Sequence, residues 1–148
     1  MRKLLLFAAM CLMALPMRAQ DYVDLGLPSG TLWESISEQG YYTYDEAISK
    51  FPDALPTKEQ FDELIRVCTW TWIGDGYDVE GPNENAIFLS AAGYRHCLGR
   101  VYNVGTIGYY WSSTLDDSET PLGLYLSSES VSMDFGTCYR SVCLVKKK

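Results

Sequence analysis

The sequence predicts an α+β domain on three observations: two complete helix-start signatures, a following run of short segments punctuated by turn residues, and no internal repeat or low-complexity linker. Helices gathered ahead of a series of short strands, rather than alternating with them, point to antiparallel pairing.

The first segment stands apart from that domain. Arg2 and Lys3 precede an apolar run from Leu4 to Leu15, and after Pro16 comes Met17-Arg18-Ala19-Gln20. A charged start, an apolar core and a small residue at the cut are the layout of a secretory signal. The run is shorter than the about 20 residues that a membrane-spanning helix needs. Residues 1–19 therefore read as a signal peptide and residues 20–148 as one domain, with a cut after Gln20 as the alternative. Acylation at Cys11 would require small residues just before it, whereas Met10 precedes it and the apolar run continues beyond. The mature chain is expected in the periplasm, at the cell surface or secreted, with no transmembrane segment.

The first elements of the domain are two short strands, Tyr22–Leu27 and Thr31–Ile36, separated by the turn residues Pro28-Ser29-Gly30. A helix then starts at Thr43, whose hydroxyl caps the opening turn while Glu46 reaches back to close a capping box. It should stop near Phe51, before Pro52. Pro56-Thr57-Lys58-Glu59-Gln60 repeats the signature, with Thr57 as cap and Gln60 as its partner. Phe61, Leu64, Ile65 and Cys68 follow at helical spacing as one apolar stripe. Glu59, Asp62, Glu63 and Arg66 form the solvated side, on which Asp62 and Arg66 have ion-pair spacing.

From Thr69 the texture changes to strands and turns. Trp70 and Trp72 alternate with threonine, which puts both indoles on one face of a strand. Gly74-Asp75-Gly76 turns the chain, and Tyr77–Glu80 with Ala86–Ala91 reads as a hairpin around Pro82-Asn83-Glu84-Asn85. Tyr109–Ser113 is a strand. Leu122–Leu126 and Val131–Phe135 form a hairpin with Val131, Met133 and Phe135 on one side, Ser132 and Asp134 on the other. Arg140–Val145 closes the domain.

Composition narrows the function. Without residues 1–19, nine Lys and Arg face nineteen Asp and Glu, a formal charge of −10. Such a surface repels phosphate backbones, so nucleic acid is excluded as the expected partner. Eleven tyrosines, four tryptophans and five phenylalanines argue for a packed core. Four cysteines remain, Cys68, Cys97, Cys138 and Cys143, and export would allow disulfides among them. Three pairings are possible, and buried free thiols are an equal alternative. Cys138 and Cys143 have opposite parity on a continuous strand, so joining them would need a bulge or turn.

Catalysis has no visible seat. The single histidine, His96, has no Gly-x-Ser-x-Gly elbow to serve. A zinc site from His96, Cys97, Cys138 and Cys143 would need adjacent side chains to face one way, which a strand forbids. Two loops carry polar side chains instead. Pro82-Asn83-Glu84-Asn85 offers side-chain oxygens, and the 115–121 loop exposes Asp116, Asp117 and Glu119. Calcium takes about six to eight oxygen ligands, often from one loop. Turn formation accounts for both loops without a metal, so no cofactor is expected. The candidate ligand-binding residues are Asp116, Asp117 and Glu119, with Ser128 and Glu129 of the 127–130 turn and the loop around residues 96–107 beside them.

The order of motifs resembles one family. Asp24-Leu25-Gly26-Leu27-Pro28-Ser29-Gly30-Thr31-Leu32-Trp33, Leu55-Pro56-Thr57-Lys58-Glu59-Gln60-Phe61 and Cys68-Thr69-Trp70-Thr71-Trp72 are similar to the Fibrobacter succinogenes major paralogous domain family. Gly81-Pro82-Asn83, Ala91-Ala92-Gly93-Tyr94-Arg95, Gly108-Tyr109-Tyr110-Trp111-Ser112-Ser113 and Arg140-Ser141-Val142 continue the likeness over nearly all of the mature chain. The resemblance implies a C-type-lectin-like fold in exported proteins of Bacteroides-like bacteria. It also implies N- and C-terminal strands side by side, second-half loops on one surface and Trp111 as a core anchor. Sugar-binding C-type lectins hold calcium with a Glu-Pro-Asn-like triplet and a Trp-Asn-Asp strand, where this chain has Gly81-Pro82-Asn83 and Trp111-Ser112-Ser113. Cys143 stands where the family usually has an arginine after Ser-Val. The expected function is a non-catalytic recognition module for glycan or protein. A structural envelope or adhesin subunit is the alternative, and an enzyme of the formylglycine-generating kind the remote one.

Overall fold

The structure is a computed structural model that describes residues 21–136 and 138–148, so the expected signal segment lies outside the described residues. Local chemistry fixes the two helices. α1 (Tyr44–Lys50) and α2 (Lys58–Val67) each begin with a complete capping box, Thr43 with Glu46 and Thr57 with Gln60. α2 buries Phe61 and Leu64 from its apolar stripe. On its solvated side Asp62 pairs with Lys58, one turn earlier, rather than with Arg66.

Three strands precede the helices: β1 (Tyr22–Asp24), β2 (Leu32–Glu34) and β3 (Glu38–Tyr42). Both β1 and β2 are shorter than predicted; β1 ends where the Asp24 carboxylate accepts the Gly26 N–H and turns the chain, leaving Leu25 and Leu27 buried in a loop. β4 (Thr69–Trp72), β5 (Gly76–Glu80) and β6 (Ala86–Ser90) form the expected antiparallel meander. Trp70 and Trp72 share a face, and both meet the Tyr77 ring edge-on, at 5.4 and 5.1 Å.

The second half adds a small hairpin, β7 (Tyr94–Arg95) with β8 (Val101–Tyr102), and then β9 (Ile107–Leu115), β10 (Pro121–Ser127) and β11 (Val131–Phe135). The predicted closing strand is broken. β12 (Arg140–Val142) and β13 (Val145–Lys146) are separated where Leu144 N–H bonds the Glu34 carboxylate and Val145 N–H bonds Ala54 O. β13 pairs with β2, so the two ends of the described chain share one sheet in the order β1-β2-β13.

The central sheet runs β11-β10-β9-β12-β3. β12 lies parallel to β9, against the expected antiparallel pattern, because the chain leaves β11, passes over β10 and β9, and enters β12 in the same direction. One face of this sheet packs on α2 in the main core, with Trp33, Phe61, Leu64, Tyr110, Leu124 and Leu126 sealed from solvent. On the other face Trp111 and Val142 pack against Ala47 and Leu55 of the α1 region. Among the described residues no helix is long and apolar enough to cross a membrane.

Candidate functional site

Alternation along β9 sends Tyr110 into the main core and Tyr109 and Trp111 to the opposite face. On that face Tyr125 lies opposite Tyr109, and Gly123 lies opposite Trp111. The glycine leaves a recess, since a Cβ there would stand 2.7 Å from Nη1 of Arg140. The Arg140 guanidinium fills it, 4.7 Å from the Tyr109 ring and 4.8 Å from the Trp111 ring. Gly136 passes so close that a Cβ would overlap Nη2.

Arg140 is buried. Its Nη2 donates to Phe135 O at 2.7 Å and reaches the Asp134 carboxylate at 3.5 Å. Among the described residues Nη1 has no hydrogen-bond partner, and the two rings offset part of that loss by cation–π attraction, up to about 2 kcal/mol when desolvated. Burial pulls the guanidinium pKa down, with Asp134 and then Tyr109 opposing, and an arginine stays charged throughout. Burial and Asp134 push the Tyr109 phenol pKa up, so Tyr109 keeps its O–H at neutral pH.

Over this arginine lies a cleft of about 260 Å3, lined by Tyr94, Tyr109, Asp134, Phe135, Gly136, Cys138 and Arg140. Ligand pockets of drug size hold roughly 300–1,000 Å3, so this one suits a single ring. The aromatic wall extends outward. Tyr94 stacks on Tyr102 at 5.7 Å and meets Tyr109 edge-on at 5.6 Å, and Tyr109 meets Tyr125 at 5.3 Å. Phe135 is 58% exposed at the rim. The arrangement offers ring faces for stacking, phenol donors and a carboxylate acceptor. A larger groove of about 530 Å3 lies between the helices and β13, but Thr57 and Gln60 on its wall are already engaged in a capping box.

The residues singled out in the sequence lie elsewhere and apart. Leu115 pairs with Pro121 at one end of the β9–β10 ladder, and Ile107 pairs with Ser127 at the other. Asp116, Asp117 and Glu119 are therefore separated from Ser128 and Glu129 by the length of β10, about 20 Å. They do not form one surface, which corrects the expectation of a shared loop face. Asp116 builds its own turn, its Oδ1 accepting the N–H groups of Ser118 and Thr120, both at 2.8 Å. Asp117, Glu119, Ser128 and Glu129 are exposed and line no part of the cleft. In the other polar loop, the Asn83 and Asn85 amides both donate to Asp24 O, tying the loop to β1. The 96–107 region contributes through Tyr102, which stacks on the cleft residue Tyr94.

Cys68, Cys97, Cys138 and Cys143 are all free thiols. Cys143 is fully buried in the main core, so it does not join His96 and Cys97 at a metal. Among the described residues no three His, Cys, Asp or Glu side chains converge as a metal site. The tyrosines, Asp134 and Arg140 escaped sequence reasoning. The alternation of Tyr109 with Trp111 was the one visible signal. Compared with known protein families, curated proteins and solved structures, the chain matches none.

Proposed function

We propose that this protein is an exported, non-catalytic recognition module that binds a glycan ring in the cleft over Arg140. The carrying observation is the cleft itself: Tyr94 and Tyr109 as walls, with the Asp134 carboxylate held beside a buried arginine. Aromatic faces stack on the C–H faces of sugar rings, and a fixed carboxylate accepts from paired hydroxyls. Export rests on the signal-like segment 1–19. A C-type-lectin-like fold is supported by the likeness to the major paralogous domain family and by the sheet that joins the two chain ends.

The test is binding to a broad glycan panel, with calcium and with chelator. Binding is expected in both conditions, and Tyr94→Ala should weaken it at least about tenfold. Absence of binding to every glycan would sink this reading. A second reading, contact with an envelope or adhesin protein, is favoured by the β7–β8 tip and the turn after it, where Leu98 is 87% and Val104 65% exposed. Co-purification of one stoichiometric partner, lost in Leu98→Ser with Val104→Ser, would support it.

A further inference from the structure

Alternation along β7 gives Tyr94 to the cleft over Arg140 and Arg95 to a second cavity. That cavity, about 490 Å3, is lined by Tyr41 and Tyr42 of β3, by Glu46, Ser49 and Lys50 of α1, and by Arg95. Its volume lies within the roughly 300–1,000 Å3 of small-molecule sites. Hydrogen bonds hold β3 and β7 in place around it. The Tyr41 hydroxyl donates to Ala92 O at 2.6 Å, just ahead of β7. Arg95 and Tyr139 exchange backbone N–H···O bonds, each at 3.0 Å.

Two cations share this cavity. The Arg95 guanidinium lies over the Tyr139 ring, 4.0 Å from its centroid. Lys50 Nζ lies 5.1 Å from the Tyr42 ring and 5.5 Å from the Phe51 ring, and its hydrogen bond to the Tyr42 hydroxyl is long, at 3.5 Å. Among the described residues neither cation pairs with a carboxylate, and the buried Nε of Arg95 has no hydrogen-bond partner. The carboxylate on the wall, that of Glu46, serves the helix cap instead, its Oε2 accepting the Thr43 N–H at 2.8 Å. The lining is thus net positive in a chain whose composition is strongly acidic. Ring contact holds a guanidinium without using its N–H groups, so its planar fork stays open to an acceptor. A carboxylate matches that fork with two parallel bonds, and an ammonium adds a point charge beside it.

We infer that this cavity binds a hexuronic acid, free or as a unit of an acidic glycan. The carboxylate pairs with Arg95 and Lys50, the sugar ring lies against Tyr41 and Tyr42, and Ser49 bonds a ring hydroxyl. The site is distinct from the cleft over Arg140 and does not rest on the glycan reading there.

Calorimetric titration of the purified protein should detect glucuronate but neither glucose nor acetate, and raising salt from about 0.05 to 0.5 M should weaken the binding. An oligogalacturonide should bind too: about tenfold more tightly if the site takes a polymer, equally if it takes a single sugar. Arg95→Lys keeps the charge but loses the fork and should weaken glucuronate about tenfold, as should Lys50→Ala at an exposed position that the fold does not need. Arg66→Ala, which removes an exposed charge on α2, should change nothing. Failure of glucuronate and the oligomer to bind, equal binding of glucose or acetate, full affinity in both Arg95→Lys and Lys50→Ala, or an equal loss in Arg66→Ala would overturn the inference.

Discussion

The two faces of the β9–β10–β11 hairpins are built from alternate residues of the same strands, yet they have different chemistry. The face toward α2 presents Tyr110, Leu124, Leu126 and Met133 to a dry core. The opposite face presents Tyr109, Tyr125, Gly123 and Asp134, with a buried arginine among them. Tyrosine marks the difference. On the core face the Tyr110 hydroxyl is spent on Ser90 O at 2.7 Å, and burial pushes its pKa up to about 12. On the cleft face Tyr109 and Tyr125 are only half-buried, and their rings border open space. On the proposed function the first face serves stability and the second serves contact, so substitutions should separate the two properties.

The largest effect should come from the core face. Leu124→Ala removes a fully buried side chain and should cost about 2–5 kcal/mol in denaturant unfolding. Glycan affinity of the remaining folded protein should stay unchanged.

Next comes a buried carboxyl beside that core. Glu34 is 4% exposed, and its Oε2 accepts Leu144 N–H at 3.0 Å. Burial raises its pKa from 4.5 to about 7; Leu144 N–H opposes and the charge of Glu38 adds. The folded protein thus holds a proton that the unfolded chain releases between about pH 4.5 and 7. The stability this gives is complete below pH 4.5 and is lost as pH rises through 7, by at most about 3 kcal/mol. Glu34→Gln should flatten that slope in unfolding measured from pH 4 to 8. An unaltered slope would assign the titration to another group.

On the cleft face, Gly136→Ala would place a methyl on the guanidinium and drive Arg140 from its recess. A stability loss of about 1–3 kcal/mol should accompany a large loss of glycan binding. The smallest stability effect belongs to Asp134→Asn. Its side chain is 41% exposed and its ion pair long, so unfolding should shift by less than about 1 kcal/mol. Binding should still fall at least about tenfold, the clearest separation of the two faces. Equal binding by the asparagine variant would remove Asp134 from the site.

Much of the scaffold was legible because it rests on neighbours in sequence. Thr43 with Glu46 and Thr57 with Gln60 announced both helices, and the β5–β6 and β10–β11 hairpins followed from turn residues and alternation. β3 was not legible. Glu38–Tyr42 contains Gln39 and Gly40 and lacks alternation, and it becomes a strand because β12 pairs with it. The acidic loop was visible as chemistry, but its Asp116 serves the turn that carries it.

The sequence by itself determined the α+β class, the capped helices and the acidic charge. These properties depend on spacings of two to four residues, which a linear pattern records. Only the tertiary structure decided the cleft. Tyr94, Tyr109, Asp134 and Arg140 come from four strands, and they meet because β12 inserts between β9 and β3, out of chain order. No local periodicity encodes that insertion. It is set by which strand edges remain free once the hairpins have formed.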